Sequence, residues 1–219
     1  MYTLDDLSVY IFNWKKVTTN SIQLYFNIKK IINNVSIINC DENILLSSNI
    51  KHIQLDDSHY YGSQYEHAIK DTKTGSIFCV IVGDNIPNSN FQQIFNRAIE
   101  VFNTYNVGVY APNDKRSVHK YINFEFKEEL YDVDNTDCGF WFIHPNIVSK
   151  LKDIKYGTLS NFGWGIDKIT IKEARRQKMN VLRDYSIETD QLDQTTNYDT
   201  DKAYEEKCNI EDEYNRMFS

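Results

Sequence analysis

The chain has 219 residues, a formal net charge of −7, 41% hydrophobic and 25% charged residues, within the range of an ordinary globular protein able to bury roughly 70% of its unfolded surface. The acidic balance argues against a general nucleic-acid binder, and no apolar run approaches the length of a membrane span. Met1 to Asn13 lacks the basic start and apolar core of a signal peptide, so the expected location is the cytoplasm. Cys40, Cys79, Cys138 and Cys208 are widely spaced, which predicts buried free thiols rather than disulfides or a zinc site.

In chain order, Leu7–Phe12 is an apolar strand, and Asn20 is placed to cap a helix over SIQLYFNIKKII. Val35–Ile38 and Ile50–Leu55 are strands, and Gln64–Lys70 is a helix. Ser76–Val82, SIFCVIV, is apolar on both faces and stops at Gly83-Asp84-Asn85. Asn90 caps an amphipathic helix carrying Phe91, Ile94, Phe95, Ala98, Val101 and Phe102 on one side, and Val107–Tyr110 is a further strand. Alternating helices and continuously apolar strands specify an α/β sheet covered on both faces. Beyond it, Tyr121–Phe126, Leu130–Val133 and Gly139–Ile143 are predicted strands. Pro145 to about Leu151 and Ile166–Lys178 are helices, Val181–Ile187 a strand, and about Asp199 to Met217 a charged, exposed helical tail. With no repeat and no linker, residues 1–198 are expected to form one domain and 199–219 its tail.

Three places can carry chemistry. Asp84 follows the most buried-looking strand, and in open α/β sheets ligands bind beyond the carboxyl ends of strands. A carboxylate there can hold a hard divalent cation, although Gly-Asp-Asn is also ordinary turn chemistry. In Asn161-Phe162-Gly163-Trp164-Gly165-Ile166-Asp167, two glycines allow a tight turn that exposes an indole and sets Asp167 at a helix start. Asp167 is there a candidate general base; a capping aspartate beside a core tryptophan is the equal alternative. Asp134 to Trp141 leads polar groups into an aromatic strand, a possible acceptor cleft or simply core. None of the five histidines has metal-ligand spacing. The glycine signatures of dinucleotide enzymes, P-loop NTPases and α/β-hydrolases are absent, and so is H-E-x-x-H.

Taken in order, VYIFNW, INCDEN, DDSHYYGSQYEHAI, CVIVGDN, DNTDCGFWFIHP and NFGWGID resemble the segments of a family-2-like GT-A glycosyltransferase. Composition and brevity are also similar to the glycosyltransferase domains of large DNA viruses, including those of algae. The resemblance implies a nucleotide-diphospho-sugar transferase fold, α/β with a central mixed, mostly parallel sheet flanked by helices. It implies a hexosyltransferase-type enzyme that moves a sugar from a UDP-sugar to a glycan or glycoprotein acceptor, aided by Mn²⁺ or Mg²⁺ and inverting. Neither nucleic acid nor a membrane span enters. By the same resemblance Asn13, Asp41, Tyr61, Gly62, Gln64, Gly83, Asp84 and Asn85 bind the nucleotide sugar, with Asp84 on the metal. Asp137, Trp141 and Trp164 face the acceptor, and Asp167 is the catalytic base. Two departures stand out: CVIVGDN has a single carboxylate where a second acid is common, and no histidine follows the last core strand, so Asp190 or Asp193 would have to replace it. The alternative function is a non-catalytic nucleotide- or carbohydrate-binding module of the same fold. A sugar-1-phosphate nucleotidyltransferase is less favoured, because Asn13-Trp14-Lys15-Lys16 has no glycine-rich loop.

Overall fold

The computed structural model describes residues 1–117, 124–192 and 198–218. Four parallel strands come first: β1 (Leu7–Asn13), β2 (Val35–Asn39), β3 (His52–Gln54) and β4 (Ile77–Val82). The chain continues with β5 (Asn85–Pro87), β6 (Val107–Asp114), β7 (Phe124–Lys127), β8 (Leu130–Asp132), β9 (Phe140–Ile143) and the long β10 (Asn180–Gln191). The sheet runs β3-β2-β1-β4-β9-β6-β10-β8-β7, with β5 added beside β10. Antiparallel β9 lies between β4 and β6, and β10 is parallel to β6, so the middle of the sheet is mixed and the β3-to-β4 half is parallel.

Alternation along the central strands sends side chains into two cores. Val9, Ile11, Cys79 and Ile81 meet α1 (Thr18–Lys29) and α3 (Phe91–Thr104) on one face. Tyr10, Phe12, Phe78 and Val80 meet α2 (Tyr61–Asp71), α4 (Pro145–Leu151) and α6 (Ile166–Arg176) on the other. Burial on both faces is why β1 and β4 read as unbroken apolar runs. Asn90 caps α3 as its position predicts, its side chain accepting from the Gln93 N–H at 2.8 Å.

Several expectations are corrected. Asn20 does not cap α1, which starts two residues earlier; its Nδ2 donates to the Gly83 carbonyl at 2.6 Å and the Asn85 carbonyl at 3.2 Å, tying α1 to the end of β4. Half of the predicted strand Tyr121–Phe126 lies outside the described residues, as do His119 and Asp193, and its second half is β7. All four cysteines are free, but Cys208 is exposed rather than buried. The tail is not an exposed helix: α7 (Thr200–Phe218) buries Ala203, Glu206, Ile210 and Tyr214 against α6 and the short α5 (Tyr156–Leu159). Among the described residues, no helix is long and apolar enough to cross a membrane.

Candidate functional site

The carboxyl ends of β1, β2 and β4 open into one pocket of about 370 Å³, a volume suited to a small organic ligand. Its wall begins with Trp14, Lys15 and Lys16, directly after β1, and continues through Cys40 after β2 and Val82 at the end of β4. Asp57, His59 and Tyr60 come from the loop before α2, and Tyr61 and Gln64 from its first turn. Lys15 and Asp57 form an ion pair across the rim.

The far wall is aromatic. Phe162 sits between Tyr60, at a ring separation of 4.9 Å, and Tyr198, stacked at 5.0 Å. Tyr198 also accepts from Trp164 Nε1 through its hydroxyl at 2.9 Å. The loop holding Phe162 and Trp164 turns at Gly163 and Gly165, with φ near +90° at both, a conformation that favours glycine. Tail helix α7 supports it: Glu206 accepts the Phe162 N–H at 2.9 Å, and Ile210 lies directly against Gly165.

The residues expected to bind the nucleotide sugar divide between the wall and the layer beneath it. Tyr61 and Gln64 are in the wall. Tyr61 Oη donates to the Cys138 carbonyl at 2.7 Å, and Gln64 Nε2 donates to the Asn13 carbonyl at 2.8 Å. Asn13 and Asp41 are buried below: Asn13 Nδ2 donates to Asn39 Oδ1 at 2.6 Å, and Thr18 Oγ1 donates to Asp41 Oδ2 at 3.1 Å. These bonds tie the ends of β1 and β2 together, while Asn13 Oδ1 is left without a partner. Gly62 and Gly83 are contact points, where a Cβ would run into the Ser160 carbonyl and Ser21 Oγ respectively. Asn85 is buried in β5 and turned away from the pocket wall.

Asp84 lies one residue beyond Gly83, and its own carbonyl accepts the Leu192 N–H at 2.8 Å. Burial pushes its carboxyl up to about 6; the Asp114 charge adds to this and Arg116 opposes it. A carboxylate whose charged form is disfavoured by burial and a like charge gains from a nearby cation, and oxygen ligands suit Mn²⁺ or Mg²⁺. Among the described residues no three His, Cys, Asp or Glu side chains gather at a metal-binding distance. A hard cation at Asp84 would therefore rest on a single protein carboxylate, with substrate oxygens left to complete its shell. Asp190 is on the adjacent stretch of β10, where it pairs with Ile86.

On the acceptor side, Trp141 is fully buried and packs on Tyr65, so it belongs to the core and cannot present its indole to an acceptor. The predicted strand there is real, and its alternation points the indole inward. Trp164 is half-buried at the aromatic wall. Asp137 is half-buried before β9, in a segment whose Gly139 carbonyl accepts the Val82 N–H at 2.8 Å. Asp167 is in the first turn of α6, but Gly165 is the N-cap, so the aspartate makes no capping bond. Burial, then the charges of Asp167 and Asp137, push the Cys138 thiol up to about 12, which places both carboxylates near the segment that Tyr61 touches. Sequence reasoning missed Trp14, Tyr60, Phe162 and Tyr198 as wall residues. Trp-Lys-Lys directly after an apolar strand was a usable signal; Tyr198 had none, because it reaches the pocket only through the docking of α7.

No family model and no curated protein sequence matches the chain. Among solved structures it is similar to GalNAc-T7 with UDP, GalNAc and Mn²⁺, at TM-score 0.64 and 9% identity, over 86% of this chain and 43% of that one. It is also similar to a putative glucose-1-phosphate thymidylyltransferase of Bacillus anthracis in complex with sucrose, at TM-score 0.53 and 12% identity, over 81% and 86%. The inositol-1-phosphate CTP transferase of T. maritima matches at TM-score 0.51 and 10% identity, over 96% and 98%. What these likenesses share with the chain is architecture: a mixed α/β fold of the GT-A-like, nucleotide-sugar-transferase kind.

Proposed function

We propose that the chain is a glycosyltransferase that moves a sugar from a nucleoside diphosphate sugar, UDP-linked, to a glycan acceptor, with inversion and with a divalent cation at Asp84. The observation that carries this reading is the pocket at the ends of β1, β2 and β4, which combines aromatic walls with Lys15 and Lys16. Flat aromatic groups suit a nucleobase and paired lysines suit a diphosphate. The likeness to GalNAc-T7, whose structure holds UDP, GalNAc and Mn²⁺, supports the donor class.

In this mechanism Trp14 and the Tyr60–Phe162–Tyr198 wall bind the base, and Lys15 and Lys16 face the phosphates. Asp84 would hold the cation, which when bound would neutralise charge on the leaving diphosphate. Asp167 takes the proton from the acceptor hydroxyl as its oxygen bonds to the anomeric carbon. The bond from that carbon to the diphosphate oxygen breaks on the opposite side, and the nucleoside diphosphate carries away the electron pair. Trp164 and Asp137 border the acceptor side. The test is UDP release from a panel of nucleotide sugars with Mn²⁺. Turnover of a UDP-sugar supports the reading, and release from none of the panel overturns it. The isolation of Asp84 favours one rival, a binding module of the same fold; it predicts UDP binding with no turnover.

A further inference from the structure

On the other side of the Gly83-Asp84-Asn85 turn, a second groove of about 660 Å³ lies between α1, β5 and the start of α3. One helical face of α1 forms its side, with Asn20, Gln23 and Asn27 at helical spacing and Ile31 just beyond the helix end, and Phe91 at the start of α3 also lines it. Although 25% of the chain is charged, no charged side chain lines this groove among the described residues. Asn85, which also borders the groove, is 1% exposed, and neither its Oδ1 nor its Nδ2 has a hydrogen-bond partner. A buried amide left this way costs about 1–3 kcal/mol.

We infer that this groove is a subsite for an uncharged oligosaccharide. Gln23 and Asn27 each carry an amide, a group with donors and an acceptor together, the combination that neighbouring sugar hydroxyls require, while Asn20 spends its Nδ2 on the Gly83 and Asn85 carbonyls. Ile31 and Phe91 supply apolar surface for the C–H faces of sugar rings. The groove's lining includes no cationic side chain, although the Lys30 ammonium at its edge donates to Asn27 Oδ1 at 3.4 Å, and this sets it apart from the pocket with Lys15 and Lys16. Val82 lines the pocket and Asn85 the groove, so at most roughly 10 Å of chain separates the two walls. A glycan held here would present its remainder toward the transfer site. That role as acceptor subsite rests on the glycosyltransferase reading; the binding itself does not.

The experiment is saturation-transfer NMR on the full chain with cellohexaose, maltohexaose, chitohexaose and mannohexaose, and with oligogalacturonate as the acidic control. It is run beside calorimetry with UDP. The double variant Gln23→Ala/Asn27→Ala alters two exposed helix positions to the strongest helix former, so α1 is retained. We expect at least one neutral hexasaccharide to bind, the variant to lose at least tenfold in its affinity, and UDP affinity to stay unchanged. Binding by none of the neutral sugars, equal binding by the variant, or preference for the acidic oligomer overturns the subsite. Failure of UDP to bind, with the sugar result intact, would instead overturn the donor reading.

Discussion

Asp84 carries opposite demands in the folded chain. Its pKa is raised by burial from 3.8 to about 6, so ionising it costs the folded state. The stability it permits is complete below pH 3.8 and is lost as pH rises through about 6. In metal-free buffer Asp84→Asn should therefore match the wild type near pH 4 and exceed it at pH 7.5 by up to about 3 kcal/mol. Urea unfolding at the two pH values checks this, and parallel pH profiles would contradict it. The same variant should lose metal-dependent donor turnover. Asp167 makes the complementary prediction. With Gly165 as the N-cap, Asp167→Asn leaves α6 in place, apart from a helix-dipole contribution of about 0.3–1 kcal/mol. It should lower kcat by about 10²–10⁴-fold with UDP affinity nearly intact. Transfer at the wild-type rate would move the base to Asp137 or Asp134.

Among the elements, α7 is the one whose role changes most between sequence and structure. Its charge reads as exposure, yet Ile210 is wholly buried against Gly165 and Tyr214 Oη donates to buried Glu173 at 2.8 Å. Ile210→Ala should cost about 2–5 kcal/mol in unfolding and weaken UDP binding, because the loop carrying Phe162 rests on that residue. Unchanged stability would mean that α7 does not dock in solution. The apolar strands β1, β2 and β4 and the capped helix α3 were legible, since burial on two faces and helical periodicity are written into local sequence. So was the turn with Gly163 and Gly165. Strand β5 was not: three residues ending in proline carry no period, and their pairing with β10 is set from about a hundred residues away. At Trp141 the sequence offered both a core strand and an acceptor cleft, and burial of the indole selects the core strand. Asn13 and Asp41 lie in the layer under the pocket, a depth that the sequence does not encode. Side-chain hydrogen bonds among Asn13, Thr18, Asn39 and Asp41 decide that depth, and no spacing rule encodes them.

At the scale of the whole molecule, the carboxyl ends of three parallel strands and an aromatic wall braced by the C-terminal helix enclose one pocket, and Asp84 follows two residues after Val82 in its wall. The central proposal is that this assembly binds a uridine diphosphate with a divalent ion. Isothermal calorimetry with UDP and GDP, each with and without Mn²⁺, on the wild type and on Trp14→Ala, tests it most directly. The account predicts that UDP binds more tightly than GDP, that Mn²⁺ strengthens UDP binding, and that Trp14→Ala weakens it by about 1 kcal/mol or more through lost base stacking. Equal, metal-independent binding of both nucleotides, binding of neither, or binding indifferent to Trp14 would contradict it.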